Sequence, residues 1–221
     1  MLKVITHPVN YLQVNDYLVY DTETRDAMLI DAGFQFSQEW QQMQEVIERE
    51  GLHLVMTLVT HCHFDHVMGL NYIVRAHEDC LLYGSPEEQQ LLGSPNSQAS
   101  DFGLRLDLPE VIIGNRLHEG QVLRLGSYDI HVLDCPGHSF HGFCFYIPDA
   151  QMIFTGDVLF YCSVGRSDFT ELRGRDMGCN GQLLIEGIVQ KLMTLPGDTV
   201  VYPGHGQKTK IKIEQSINPY F

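Results

Sequence analysis

The chain has 221 residues, of which 44% are hydrophobic and 19% are charged. This composition is typical of a folded globular protein and excludes disordered and collagen-like chains. The 14 Lys and Arg against 28 Asp and Glu give a net charge of −14. Because such a charge repels phosphate groups, we expect a small-molecule substrate and neither a nucleic-acid nor a membrane partner.

The sequence shows neither a targeting signal nor a disulfide framework. The first ten residues lack a basic flank followed by an apolar stretch, and no run approaches about 18 consecutive apolar residues. The six cysteines include no C-x-x-C pair. We therefore expect a cytoplasmic protein with reduced thiols, and the sequence leaves its oligomeric state open.

The first half of the chain is predicted to contain strands and then helices. Alternating apolar and polar residues in the first thirty positions predict antiparallel strands around a turn at Asn15-Asp16, with a second break over 21–26. A 3.6-residue apolar period predicts a helix over 37–50 that stops at Gly51. The remaining predictions here are a buried strand over 52–60, a helix through 67–74, a helix opened by the capping box at 85–88, and a long loop, a candidate lid, over 93–109.

The second half repeats this order. Its predicted strands cover 111–113, 121–125, 128–133, 143–147, 152–155 and 199–202, and a helix is predicted over 183–195, closed by Pro196-Gly197. Strands followed by a helix, twice over, favour two similar halves packed sheet on sheet with helices outside. We expect them to form a single domain over 1–221.

Four potential metal ligands follow the strand over 52–60 directly. They are His61, His63, Asp65 and His66, all within six residues. Three imidazoles and a carboxylate so close together would repel one another when protonated and would be costly to bury without a partner. A divalent cation removes both problems, and these donors suit zinc, iron or manganese.

Three later residues add to this cluster. His138, Asp157 and His205 each follow a predicted strand, in the segments Cys-Pro-Gly-His, Thr-Gly-Asp and Pro-Gly-His-Gly. The adjoining glycines carry no side chain, so a turn can bring a ligand close to the backbone and to a metal. Together the seven residues predict a metal site.

With these segments in this order, the sequence resembles the metallo-β-lactamase superfamily, from Leu-Ile-Asp-Ala-Gly at 29–33 to Pro-Gly-His at 203–205. The resemblance implies an α/β fold, the four-layer αβ/βα sandwich, with two divalent metal ions at one edge of the sheets. Zinc is the first expectation, with iron or manganese as alternatives. The implied ligands are His61, His63 and His138 for the first metal, Asp65, His66 and His205 for the second, and Asp157 as a bridge between them.

The subfamily resemblance concerns the reaction. Enzymes of the superfamily that act as β-lactamases commonly carry Cys where Asp157 stands, so antibiotic hydrolysis is not expected. The segments 154–160 and 163–169 are similar to short bacterial glyoxalase II-type hydrolases. This similarity implies hydrolysis of a small thioester, with hydroxyacylglutathione as the representative substrate. A hydroxide between the two metals would attack the carbonyl, and Asp65 would orient it.

A rival interpretation is an oxidoreductase. Persulfide dioxygenases share the fold and a Gly-Arg-Ser/Thr-Asp-Phe segment much like 165–169. They use one iron, which would be held here by His61, His138 and Asp157. The presence of His66 and His205 favours two metals.

Three neighbouring residues have roles that the sequence leaves open. Arg166 either clamps a substrate carboxylate through two hydrogen bonds or pairs with Asp168. His141 either supports a ligand or faces solvent. Cys62 is predicted to pack in the core rather than bind metal.

Overall fold

In the computed structural model, residues 1–221 form two compact units. The first comprises 1–116 with 125–127, and the second comprises 117–124 with 128–221. Each unit is built on one six-stranded sheet. The expectation of a single domain over 1–221 stays a prediction.

The first unit has a mixed sheet. Its strands, in spatial order, are β1 (Leu2–Val9), β2 (Val14–Asp21), β3 (Asp26–Ile30), β4 (His53–Leu58), β5 (Leu81–Gly84) and β6 (Asn115–Arg116). β1, β2 and β3 pair antiparallel, whereas β3, β4, β5 and β6 pair parallel. The helices are α1 (Ser37–Glu50), α2 (Phe64–Val67), α3 (Leu70–Ala76), α4 (Pro86–Leu92) and α5 (Pro95–Asp101).

The second unit has a sheet with one internal parallel pair. Its elements are β7 (Val122–Leu125), β8 (Tyr128–Asp134), β9 (Phe143–Ile147), β10 (Met152–Gly156), β11 (Leu159–Phe160), β12 (Ser163–Val164), β13 (Glu171–Leu172), β14 (Arg175–Asp176), α6 (Gly181–Gly187), β15 (Val200–Pro203), β16 (Thr209–Lys210) and α7 (Ile211–Ile217). The strand order is β16-β15-β10-β9-β8-β7, with β10 and β15 parallel, while β11–β12 and β13–β14 form two small hairpins.

Helix α1 forms over 37–50 as predicted. The Glu39 carboxylate accepts the Phe36 N–H at 3.0 Å, which satisfies a free donor at the helix start. Gly51 ends the helix in the left-handed conformation, at φ 60°. The buried face presents the apolar residues of the periodic pattern, Trp40, Met43 and Ile47.

The first turn lies earlier than predicted. It occupies 10–13, and Asn10 and Gln13 adopt left-handed φ angles of 54° and 58°. The predicted turn residues Asn15 and Asp16 lie inside β2, and both are buried. The turn forms at Asn10 because its side chain accepts the Leu12 N–H at 2.8 Å. This local hydrogen bond stabilises the left-handed conformation of Asn10.

The predicted long loop over 93–109 is wrong in its first part, where α5 forms. Ser94 accepts the Ser97 N–H at 3.2 Å, and Pro95 occupies the first turn. This is the same Ser-Pro start that correctly predicted α4. Residues 93–94 and 102–109 remain outside any helix or strand.

The predicted strand over 111–113 is also wrong. The Gln89 side chain donates to the Val111 carbonyl at 2.6 Å and accepts the Ile113 N–H at 3.1 Å. A side-chain amide thus takes the place of a neighbouring strand, and the sheet gains its last strand at β6 instead.

Two predicted helices have different ends. The helix through 67–74 is split into α2 and α3 at Gly69, whose N–H donates to the Ala32 carbonyl at 2.7 Å. A Cβ at Gly69 would collide with Ala32 and Phe34, so only glycine allows this approach. The helix over 183–195 instead runs from 181 to 192, and its last five residues form a π-helical turn.

Apolar burial holds the second unit together. Strands, loops and helices all contribute to its core cluster, which consists of Cys135, Cys144, Ile153, Val158, Leu159, Val164, Leu184, Ile188, Leu192, Val201 and Ile211. None of the six cysteines is paired in a disulfide. None of the helices combines the length and apolar character needed to cross a bilayer.

Replacement of Glu214 should destabilise the second unit. This fully buried carboxylate accepts the Cys162 N–H at 2.9 Å, the Thr209 hydroxyl at 2.6 Å and the Asn218 amide at 2.8 Å. Glu214→Ala leaves buried donors without an acceptor, so we expect the free energy of unfolding to fall by about 2–4 kcal/mol in urea titrations. Glu171→Ala, at an exposed position, is the control, and an equal loss in both variants would contradict the role of Glu214.

Candidate metal centre

Two parallel strands bring the first group of predicted ligands to one edge of their sheet. β3 ends at Ile30 and is followed by Asp31, and its parallel neighbour β4 ends at Leu58, shortly before Thr60 and His61. The carboxyl ends of parallel strands meet at the same edge of a sheet, where ligands commonly bind. The position of His61 therefore follows from strand topology.

The other three ligands of this group lie on or just before helix α2. His63 is its N-cap residue, and Asp65 and His66 are in its first turn. The His61 ring lies 4.6 Å from that of His63 and 4.2 Å from that of His66, between ring centroids. Asp65 Oδ2 lies 3.8 Å from His66 Nε2. The structure therefore brings these four side chains together.

Asp31 holds this group in place, and its role was missed from the sequence. One carboxylate oxygen accepts the Thr60 N–H at 2.8 Å. The other accepts the Thr60 hydroxyl at 2.8 Å and the His66 Nδ1–H at 2.8 Å. Asp31 adopts a left-handed φ of 60°, which costs a non-glycine residue about 1–2 kcal/mol. The backbone strain fits a residue whose placement is set by its contacts rather than by local preference.

These hydrogen bonds also indicate which nitrogen carries the proton when each ring is neutral. A carboxylate only accepts, so His66 donates from Nδ1 and, as neutral imidazole, carries its lone pair on Nε2. The Thr60 hydroxyl gives its proton to Asp31 and therefore accepts from His61 Nδ1, at 3.1 Å. His61 too presents a lone pair at Nε2. Such outer hydrogen bonds orient metal-binding histidines.

Buried polar residues support the turn that contains Asp31. The Asp16 carboxylate accepts the Gly33 N–H, at 3.0 and 2.9 Å to its two oxygens. Burial raises the pKa of Asp16 well above its usual value, although the Gly33 hydrogen bond opposes this. The Asn10 side chain donates to the carbonyls of Gly33 at 2.9 Å and Asp65 at 3.1 Å. The turn is thereby tied to the backbone of a predicted ligand.

The second group is placed by the parallel pair in the other sheet. Asp157 follows β10, and His205 follows β15. The Gly204 N–H donates to the Gly156 carbonyl at 2.7 Å, so the two turns are joined directly. Asp157 Oδ2 lies 3.5 Å from Nε2 of both His138 and His205. The structure therefore brings these three side chains together around one carboxylate.

His138 is oriented by the backbone of Arg166. Its Nδ1 lies 2.7 Å from the Arg166 carbonyl oxygen, which only accepts. The neutral ring therefore donates from Nδ1 and presents a lone pair at Nε2, like His61 and His66. Gly165, which precedes Arg166, packs so closely on the Asp157 carbonyl that any Cβ at this position would collide with it.

The structure shows the contacts of Arg166, His141 and Cys62, whose roles the sequence left open. The Arg166 guanidinium donates two hydrogen bonds to Asp168, at 3.1 and 2.9 Å, so the acidic partner weighed from the sequence is present. His141 Nδ1 lies 2.7 Å from Asp134 Oδ2, and its ring stacks on Phe143. Cys62 is buried, and burial and the Glu88 carboxylate raise the pKa of its thiol, which agrees with packing.

The donors present are chemically suited to a divalent metal. Each of the seven predicted residues offers one imidazole nitrogen or carboxylate oxygen that could hold an ion. Zinc, iron and manganese all accept this set. The hydrogen bonds at Nδ1 of three histidines point to the same use, because they leave Nε2 as the basic atom. The assignment of each side chain to a particular metal stays a prediction.

The sequence pattern of the metallo-beta-lactamase superfamily matches residues 9–205, which include all seven predicted ligands. The chain belongs to the metallo-beta-lactamase superfamily. The α/β fold class implied by the sequence resemblance is thereby confirmed. Over its whole length the chain is similar to the crystal structure of the BLEG-1 B3 metallo-beta-lactamase. The two are 30% identical, the TM-score is 0.82, and the match covers 100% of this chain and 99% of that chain.

Other relatives carry more specific names. The hydroxyacylglutathione hydrolase GloC of Haemophilus influenzae is 35% identical, over 96% of this chain and 95% of that protein. The human mitochondrial persulfide dioxygenase ETHE1 is 29% identical, over 92% of this chain and 69% of that protein. The crystal structure of TTHA1623 in a di-iron-bound form is 33% identical, with a TM-score of 0.77 and coverage of 99% and 100%. Membership and relatives together indicate a metal-dependent enzyme.

Replacement of Asp31 should weaken metal binding. Asp31→Asn replaces one of the two acceptor oxygens by an NH2 group, so in either orientation of the amide at least one of the three hydrogen bonds from Thr60 and His66 is replaced by two donors facing each other, and the support of the His66 and His61 rings is weakened. We expect about a 10–100-fold loss of Zn²⁺ affinity, measured by competition with a chromogenic chelator. Asp79→Asn, on an exposed turn, is the control. Unchanged affinity in Asp31→Asn would show that Asp31 does not support a metal ligand.

Proposed function

We propose that this protein is a metal-dependent hydrolase of a small thioester, with hydroxyacylglutathione as the representative substrate. Two divalent ions take part, zinc in the first instance, with iron or manganese able to replace it. In this proposal the first ion is held by His61, His63 and His138, the second by Asp65, His66 and His205, and Asp157 is shared.

The observation that carries the metal requirement is the direction of the hydrogen bonds at Nδ1. His61, His66 and His138 each donate from Nδ1 to an oxygen that can only accept there, as described above. Histidines that serve only in packing do not all need to carry the ring proton on Nδ1. Metal-binding histidines do need it, because the ion takes the lone pair on the other nitrogen.

The residues have distinct tasks in the proposed reaction. Divalent ions bound here would supply an activated water and would polarise the substrate carbonyl. Asp65 accepts a hydrogen bond from the attacking water and so directs it at the carbonyl carbon. The leaving thiolate needs little protonation, since an ordinary thiol has a pKa of about 8.5. A thioester therefore suits a site that lacks an evident general acid better than an amide does.

One of the relatives supports this choice of substrate class. GloC, whose name states the hydrolysis of a hydroxyacylglutathione, covers nearly the full length of both chains. Asp157 supports it as well, since the superfamily's β-lactamases commonly have Cys there. The di-iron relative shows why metal identity is part of the test.

An apolar cavity of about 220 Å³ beside helix α2 supports a substrate with an apolar portion. Phe64 and Met68 line it on the helix side, and the Asn10 side chain, which also lines it, donates to the Asp65 carbonyl. The exposed rings and chains of Tyr11, Leu12 and Leu104 lie at its walls. A panel of thioesters with acyl groups of increasing length tests this cavity.

The reaction itself is tested with protein of measured metal content. Thioester hydrolysis, followed by release of free thiol, should require metal, stop after dialysis against a chelator and return with added Zn²⁺. Asp157→Ala should lose metal and reduce turnover by about a hundredfold or more, because the shared ligand is removed and with it the ions that would activate the water and stabilise the oxyanion. Asp149→Ala, at an exposed position, is the control.

Two results would contradict the proposal. The first is full thioester turnover by metal-free protein. The second is an Asp157→Ala variant that keeps both its metal and its activity. A β-lactam included in the panel reports on the antibiotic hydrolysis that the sequence disfavours.

Persulfide dioxygenation is the second candidate, favoured by the human relative and by the 165–169 segment. It predicts one iron per chain and oxygen consumption that depends on a persulfide. Hydrolysis predicts two metals per chain and thioester cleavage without oxygen. Metal analysis together with an oxygen electrode therefore separates the two candidates.

A further inference from the structure

The segment that carries His61 and His63 has no strand beside it. Residues 61–63 leave the sheet after β4 and are in neither strand nor helix. Cys62 and Phe64, on either side of His63, are 1% and 6% exposed. Backbone polar groups buried in this way need partners from elsewhere, because water cannot reach them.

Gln98 on helix α5 supplies two of these partners. Its amide nitrogen donates to the Cys62 carbonyl at 2.9 Å, and its amide oxygen accepts the Phe64 N–H at 3.1 Å. The same nitrogen donates to the Gly93 carbonyl at 3.1 Å. The side chain is buried, at 2% exposure, and so holds one rotamer between fixed groups. One amide therefore binds the backbone on both sides of His63.

Glu88 on helix α4 binds the same segment. Its Oε2 accepts the Cys62 N–H at 2.9 Å, and the residue is fully buried. Thus both polar backbone groups of Cys62, the residue between two predicted ligands, are held by side chains. These partners lie 26 and 36 positions along the chain.

The same helices use this device away from the ligands. The Asn96 amide donates to the Leu108 carbonyl at 2.9 Å and accepts the Leu108 N–H at 3.0 Å. Gln89 makes the equivalent pair with Val111 and Ile113. Side-chain amides on both α4 and α5 therefore bind backbone groups that have no strand partner. Of the three amides, only that of Gln98 binds the segment that carries His61 and His63.

We propose that Gln98 is a positioning residue of the metal centre, which acts by fixing the backbone on both sides of His63, with Glu88 as its partner at Cys62. In an extended segment, side chains two positions apart lie on the same face, so a fixed backbone at 62 and 64 sets the spacing of His61 and His63. Their ring centroids lie 4.6 Å apart. This inference rests on the proposed metal-dependent function and adds a determinant of metal affinity.

Gln98→Ala tests the role with Zn²⁺ as the probe. We expect the affinity for Zn²⁺ to fall by about 10–100-fold, as for other outer contacts of metal ligands, in chelator competition. The visible spectrum of the Co²⁺-substituted protein should change as well, because the ligand geometry is relaxed. The thermal unfolding midpoint of the metal-free protein is measured in parallel.

Asn96→Ala is the matched control, since it removes an amide pair of the same kind from the same helix. It should lower the unfolding midpoint of the metal-free protein, though by less than Gln98→Ala because Asn96 is less buried, and leave Zn²⁺ affinity and the Co²⁺ spectrum as in the unmodified protein. Gln98→Met, which fills the same space without hydrogen bonds, provides the measurement where Gln98→Ala does not fold, and the same loss of Zn²⁺ affinity is expected.

The outcomes separate this inference from the proposed function. Equal Zn²⁺ affinity in the Gln98 variants and in Asn96→Ala would overturn the positioning role and leave the metal centre standing. Failure of the unmodified protein to bind Zn²⁺, Co²⁺, Fe²⁺ or Mn²⁺ would overturn both. A loss of affinity confined to the Gln98 variants supports the inference.

Discussion

The first ligand group depends on the Asp31 carboxylate. It receives hydrogen bonds from the backbone and hydroxyl of Thr60 and from His66, all at 2.8 Å. Through Thr60 it also reaches His61. One buried charge therefore sets the orientation and the basic atom of two imidazoles. A buried carboxylate is stable here because every partner is a hydrogen-bond donor.

Strand direction explains why predicted ligands lie at an edge of each sheet. In each unit a parallel pair, β3 with β4 or β10 with β15, brings two chain turns to the same sheet edge. Polar residues at those turns meet without long loops, since the sheet fixes the strand ends. The antiparallel neighbours contribute burial and rigidity instead. The predicted ligands thus follow strands that are distant in sequence and pair in parallel.

The irregular segments of the first unit are held by side-chain amides rather than by strands. Gln89, Asn96 and Gln98 each pair with backbone groups of a loop. These hydrogen bonds satisfy buried backbone groups without an additional strand. It also makes α4 and α5 part of the support of the ligand segment. The chain is similar both to a protein named as a hydrolase and to one named as a dioxygenase.

The sequence by itself determined the family and predicted the metal ligands. The seven ligand candidates, the family and helix α1 all follow from residue identity and short spacing, which are local properties. Tertiary structure alone decided the roles of Asp31 and Gln98, because their partners lie 29 to 36 residues away. For the same reason the strand predicted over 111–113 is absent, since the Gln89 amide took the backbone bonds that strand pairing would have used. Local pattern fixes which atoms can react, whereas long-range hydrogen bonds fix how they are held.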